Sequence, residues 1–140
     1  MKKLLATVLL AGALALAGCG EQSLSAGASQ KKLDAAGYKT TLYSVEQAKA
    51  AITGLKFDGY NLKEAIYAEK GEEANKDILL AFYFSNINEA NKFMEDNQSA
   101  NMALMYDFAK SNLGENLAQK VGMHNNVAYV GSETSFAVAF

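Results

Sequence analysis

The sequence of 140 residues contains no proline, no tryptophan and no arginine, and it has a single cysteine and a single histidine. Without arginine, a site that recognises phosphate or carboxylate through bidentate hydrogen bonds from a guanidinium group is excluded. One cysteine cannot form a disulfide within the chain, and with one histidine it cannot supply a zinc site built from those two residue types. Apolar packing must therefore stabilise the fold, and a hydrophobic content of 50% is sufficient for that.

The charge balance is mildly acidic, with 13 basic residues, all of them lysine, and 15 acidic residues. No segment carries the dense basic patch of a nucleic-acid-binding surface, so we expect no nucleic-acid partner. The chain also has no G-x-S-x-G motif and no glycine-rich phosphate loop. These absences predict a protein that is not an enzyme and that has no cofactor. A small hydrolase with paired carboxylates remains an alternative.

The first residues have the three parts of a secretory signal. Met1-Lys2-Lys3 is basic, Leu4 to Leu16 is an uncharged apolar run, and Ala17-Gly18 places two small residues before Cys19. As a helix the apolar run would be about 20 Å long, which is too short for a hydrocarbon core of about 30 Å. We therefore expect residues 1–18 to be a targeting segment that is removed. Its loss takes the net charge of −2 to about −4.

The segment Leu16-Ala17-Gly18-Cys19 resembles the lipobox of bacterial lipoprotein precursors. The resemblance implies that a diacylglyceryl transferase modifies the Cys19 thiol and that lipoprotein signal peptidase cuts before Cys19. Two acyl chains give stable membrane attachment, whereas one holds a protein only marginally. The protein is then expected on the extracytoplasmic side of a membrane, and Gly20 in place of aspartate favours the outer membrane in a two-membrane cell. The alternative is an ordinary secretory signal with a chance cysteine.

After Cys19 the sequence predicts a short linker followed by one folded domain. The segment Gly20 to Gln30 is small and polar, so residues 19–30 are expected to form a flexible tether with a reach of roughly 20 Å. Residues 31–140 are expected to form a single α+β domain. Hydrophobic periodicity predicts strands near residues 38–43, 62–69, 77–84 and 127–130, and helices near 45–55, 87–94, 99–111 and 132–140.

This order of elements is typical of a ferredoxin-like fold, β-α-β-β-α-β, with helices on one face of an antiparallel sheet and short additional helices at the two termini. The apolar spacing of Leu113, Leu117 and Val121 predicts that the third long helix continues past Gly114. The domain also resembles small bacterial lipoproteins with no assigned activity. The matching segments are Gly37-Tyr38 and Val127 to Ser132.

Three groups of residues are candidates for binding. The soft ligands Met102, Met105 and Met123 together with His124 would suit Cu(I), although methionine more commonly fills a core. Tyr67 and Tyr83 could form an exposed aromatic patch on an uncovered sheet face. Acidic residues also surround the predicted hairpin loop, where a solvated turn is more plausible than a calcium site: Glu69, Glu72, Glu73 and Asp77.

The sequence therefore predicts a lipid-anchored, extracytoplasmic binding module that has an unidentified envelope partner. The alternative is an envelope protein that handles Cu(I).

Overall fold

The computed structural model describes residues 23–96 and 98–140, which form a five-stranded antiparallel sheet and five α-helices. The strands are β1 (Lys39–Tyr43), β2 (Leu62–Lys70), β3 (Asp77–Phe84), β4 (Gln119–His124) and β5 (Val127–Ser132). The helices are α1 (Ala26–Ala35), α2 (Val45–Ala51), α3 (Ile87–Asp96), α4 (Gln98–Asn112) and α5 (Glu133–Ala139). Within these residues, no helix has the length and apolarity that a membrane crossing needs. The predictions for the signal segment and for Cys19 lie outside the described residues.

The sheet has the strand order β1-β2-β3-β5-β4, with β3 at its centre. All eight residues of β3 are buried, which explains why this segment is a continuous apolar run after its first residue. One end of the sheet contains the β2–β3 hairpin loop, where Lys70 pairs with Asp77. We call it the Asp77 end. The opposite end contains Ser85 and the tight β4–β5 turn, and we call it the Ser85 end.

Helices cover both faces of the sheet. On one face α2, α3 and α4 pack over a core that includes Phe82, Phe84 and Phe93. On the other face α1 and α5 pack over residues that include Leu33 and Tyr83. The α+β class is therefore confirmed, but the prediction of helices on one face only is wrong. A central strand that is buried along its whole length needs apolar cover on both sides.

The ferredoxin-like order of strands is not confirmed. In that plan a helix connects two parallel strands, whereas here β1 and β2 are antiparallel neighbours although α2 lies between them. Strand β4 was not predicted from the sequence. Val121 is part of this strand and does not extend a helix. A spacing of four residues returns to the same face in a helix and in a strand, so the spacing of Leu117 and Val121 did not distinguish the two.

The packed part of the chain begins earlier than the sequence predicts. Ala26–Gln30, which we assigned to the flexible tether, are the first half of α1. Ala26 and Ser29 are buried against the sheet, and the Ser25 side chain caps the helix by accepting a hydrogen bond from the Ala28 amide. The small residues that suggested flexibility allow α1 to lie close to the sheet.

Candidate binding site

A buried carboxyl group lies at the Asp77 end of the sheet. Asp77 is only 7% exposed, and it is the first residue of the central strand. Its Oδ2 atom accepts a hydrogen bond of 2.6 Å from the Tyr38 hydroxyl, and its Oδ1 atom accepts one from the Ser132 hydroxyl. Asp77 therefore connects the chain that enters β1, the central strand and the start of α5.

The local sequence explains how these partners reach Asp77. Gly37 adopts a φ of 94° after α1, which a side chain would disfavour, and this turn directs Tyr38 into the sheet. Ser132 is the N-cap of α5, and its Oγ atom accepts a hydrogen bond of 2.8 Å from the Ser135 amide. The capping geometry holds the Ser132 hydroxyl beside the carboxyl group.

Burial raises the pKa of Tyr38 well above its usual value, and the hydrogen bond to Asp77 raises it further. Both effects disfavour the phenolate, since a negative charge would be poorly solvated and would lie beside a carboxyl group. Tyr38 is therefore a hydrogen-bond donor at any physiological pH.

A charged cleft of about 450 Å³ opens beside this network at the same end of the sheet. It is lined by three lysines and three glutamates: Lys39, Lys70, Lys76, Glu69, Glu72 and Glu73. Lys76 and Glu69 form an ion pair at 3.3 Å. The Lys70 ammonium donates to the Ala36 carbonyl at 2.7 Å and lies 5.3 Å from the centre of the Tyr38 ring. Lys39 forms no ion pair within the described part of the chain.

The β2–β3 loop, which lines part of the cleft, is held by the segment that follows α4. The amide of Gly114 donates to the Lys76 carbonyl at 2.7 Å, and the amide of Asn116 donates to the Ala74 carbonyl at 3.0 Å. A Cβ atom at Gly114 would lie less than 3.0 Å from the Ala74 backbone, so only glycine permits this close approach. These backbone hydrogen bonds hold the β2–β3 loop, which carries Glu72, Glu73 and Lys76 of the cleft lining.

The two tyrosines predicted to form an aromatic patch lie on opposite faces of the sheet, so the prediction of a shared patch is wrong. Tyr83 is 1% exposed and donates to the Ser29 hydroxyl at 2.6 Å under α1. Tyr67 is half-buried, packs edge-on against Phe108 and donates to Glu69 at 3.3 Å. The sheet face predicted to be uncovered is covered by α1 and α5, which is why the Tyr83 ring is buried.

Burial raises the pKa of several tyrosine hydroxyls in this fold. For Tyr67 the pKa rises to about 12, because burial is reinforced by the charge of Glu69. Burial also raises the pKa of Tyr83 and of Tyr129. Together with Tyr38, four of the seven tyrosines keep their protons beyond the ordinary range.

The His124 ring does not lie on the same face of the sheet as Met105 and Met123, with which it was predicted to bind Cu(I). Met105 is fully buried in the core under α4, and Met102 and Met123 are partly buried. His124 follows Met123 on the same strand, so the two side chains point to opposite faces of the sheet. The imidazole packs instead against the rings of Phe136 and Phe140. Among the described residues, no group of three histidine, cysteine or acidic side chains is arranged to hold a metal ion.

The hydroxyl groups near the cleft are not placed for nucleophilic catalysis. Ser132 is 1% exposed, and its hydroxyl is engaged with both Asp77 and Ser135. His124 lies at the other end of the β4–β5 ladder, about five residues or 16 Å along the strands. The Ser29-x-x-Lys32 spacing in α1 resembles a serine–lysine pair, but Ser29 is buried and bonded to Tyr83 while Lys32 is exposed.

The sequence predicts the acidic cluster but not the burial of Asp77. The sequence pattern groups Asp77 with the glutamates of a solvated turn, whereas in the structure Asp77 is buried against Tyr38 and Ser132. Because Asp77 directly precedes a run of seven apolar residues, its position in the sequence was a signal that it begins a buried strand.

Comparisons with protein-family models, with curated proteins and with solved structures return no match for this chain.

Proposed function

We propose that this chain is a lipid-anchored, extracytoplasmic binding module without catalytic activity of its own. The observation that carries the proposal is the position of the only cysteine. Cys19 ends an apolar segment with the lipobox pattern Leu16-Ala17-Gly18-Cys19, and the residues that the structure describes begin four residues later at Ser23. Lipidation of Cys19 would explain why an exported protein has one cysteine and no second cysteine with which it could form a disulfide.

The charged cleft at the Asp77 end supports a binding role. Its volume of about 450 Å³ is within the range of small-molecule sites, but such sites are mostly apolar. A lining of three ammonium groups and three carboxylates favours a polar ligand, or a partner surface, that carries charges of both signs. The backbone contacts of Gly114 and Asn116 pre-organise the loop, which lowers the entropic cost of binding.

The anchor is tested by expressing the full chain with Cys19→Ala and, as a matched control, with Gln22→Ala. We expect the control to incorporate an alkyne-labelled fatty acid and to sediment with membranes. The Cys19→Ala chain should incorporate no label and should keep residues 1–18, because lipoprotein signal peptidase cuts before a lipidated cysteine. Normal removal of residues 1–18 from Cys19→Ala would contradict the proposal.

The cleft is tested by charge reversal in a pull-down from envelope extract, with the anchored protein as bait. Glu72→Lys changes the cleft lining, whereas Asp58→Lys changes an exposed residue near the Ser85 end. A partner that uses the cleft should be lost from the Glu72→Lys bait and retained by Asp58→Lys. Loss from both baits, or from neither, would place the contact elsewhere.

A further inference from the structure

The first described residues are attached to the Ser85 end of the sheet. The Leu24 amide donates to Asn126 Oδ1 at 2.6 Å, and Asn126 Nδ2 donates back to the Leu24 carbonyl at 3.0 Å. The Ser23 hydroxyl donates to the Ser85 carbonyl at 2.9 Å, and the Ala26 amide donates to Glu64 at 3.0 Å. Because Asn126 is 1% exposed and also donates to the Phe84 carbonyl at 2.8 Å, this attachment belongs to the core.

The length of chain between this attachment and the anchor is short. Only residues 20–22 separate Cys19 from Ser23. Covalent geometry limits four residue steps to about 14 Å in any conformation. If Cys19 carries the lipid, which is the proposed function on which this inference rests, Ser23 must lie within about 14 Å of the Cys19 backbone at the membrane surface.

That distance is shorter than the sheet. The eight residues of β3 span about 26 Å, from the Ser85 end to the Asp77 end. With the Asp77 end on the membrane, Ser23 would be at least that far from the lipid, and the linker could not reach it. The inverted orientation is therefore excluded by chain length alone.

The two ends also differ in charge. The cleft at the Asp77 end carries six charged side chains. The tips of the Ser85 end include the hydroxyl and amide side chains of Ser85, Asn86, Asn88 and Asn125, and the exposed charges near them, Asp58 and Lys63, are of opposite sign. Amides and hydroxyls can approach lipid headgroups at a lower desolvation cost than charges.

We propose that the domain stands on the membrane with its Ser85 end against the lipid headgroups, so that the charged cleft points away from the membrane. The bilayer surface is the occupant of the Ser85 end, and the cleft is presented to extracytoplasmic partners at about the length of one strand from the lipid. Through its hydrogen bonds to Leu24 and Phe84, Asn126 connects the chain that follows the anchor to the central strand.

The orientation is tested with reporter thiols in the full lipidated chain. Since the proposed lipid occupies the only native thiol, a cysteine introduced by Asn88→Cys or Glu72→Cys is the single site for a thiol-reactive fluorophore. Both positions are exposed, one beside the Ser85 end and the other in the cleft. After reconstitution into vesicles that contain nitroxide-labelled lipids, the fluorophore at position 88 should lose most of its emission, and the one at position 72 should keep most of it.

A longer linker provides the control for the role of chain length. Insertion of about 20 Gly/Ser residues after Gln22 gives the linker a reach of roughly 25 Å, which permits other orientations. We expect the difference in quenching between the two positions to shrink.

The outcomes separate the orientation from the anchor. Equal quenching at both positions in protein that floats with the vesicles, or stronger quenching at position 72, would overturn the orientation while the anchor stands. Protein that does not float with the vesicles would overturn the proposed anchor and the orientation together.

Discussion

Replacement of Asp77 by alanine tests whether the buried network at the Asp77 end stabilises the fold. The substitution removes the acceptor of two hydrogen bonds, and it leaves the hydroxyls of Tyr38 and Ser132 without that partner in a buried site. A hydrogen bond to a charged group contributes about 1.5–3 kcal/mol, so the loss of two should cost about 3–6 kcal/mol. A domain of this size has a total stability of about 5–15 kcal/mol, so Asp77→Ala should remove a large fraction of it.

The assay is urea unfolding followed by far-ultraviolet circular dichroism, using the chain from residue 19 with Cys19→Ala so that no lipid is attached. Asp58→Ala is the control, because Asp58 is exposed and its removal should change the free energy of unfolding by less than about 0.5 kcal/mol. The midpoint of the Asp77→Ala transition should fall while the slope with urea stays the same.

A double-mutant cycle with Tyr38→Phe isolates the contact between Tyr38 and Asp77. Tyr38→Phe alone should cost about 1.5–3 kcal/mol, because it removes one donor and leaves Asp77 with Ser132. Because each single variant already breaks this hydrogen bond, the double variant should be more stable than the sum of the two single losses predicts. Additive losses would refute the reasoning, since they would mean that the two groups do not interact.

Two further predictions concern pH and backbone packing. Because burial raises the pKa of four tyrosines above the ordinary 10.0, and that of Tyr67 to about 12, the contribution of these tyrosines to the free energy of unfolding should be constant below pH 10 and decrease as the pH rises from 10 to 12. Tyrosinate absorbance and circular dichroism should then change together, and ionisation of all seven tyrosines near pH 10 in a folded chain would contradict this. Gly114→Ala should destabilise the fold by about 1–3 kcal/mol, because its Cβ atom would collide with the Ala74 backbone. Gly27→Ala should stabilise the fold by about 0.5–1 kcal/mol, because Gly27 lies in the first turns of α1 with open space around it. Urea midpoints of the two variants that shift in the same direction would contradict these predictions.

Local patterns predicted most of the elements. Strand β3 and the starts of helices α2 and α5 all lie where the sequence indicated them. Each depends on neighbours within a few residues, so no long-range information is needed. The same dependence on local patterns explains why β4 was not predicted, because a spacing of four residues is compatible with a helix and with a strand.

The arrangement of these elements depends on contacts between distant parts of the chain. The unbroken apolar run of β3 is typical of a strand buried on both faces, although the predicted ferredoxin-like plan has helices on one face only. The sequence did not show that α1 would cover part of the other face, because the small residues Ala26 and Ser29 resemble those of a linker. Their role depends on how closely α1 approaches the sheet, and this is a property of the assembled layers.

The candidate site also has some features that the sequence predicts and others that depend on contacts between distant residues. Composition and the lipobox pattern of Leu16-Ala17-Gly18-Cys19 were sufficient to predict an anchored protein without a thiol or arginine site, because covalent chemistry is determined by residue type. Only the tertiary structure decided that Tyr67 and Tyr83 lie on opposite faces and that Asp77 is buried between Tyr38 and Ser132. These partners are separated by 39 and 55 residues along the chain, so only strand pairing brings them together.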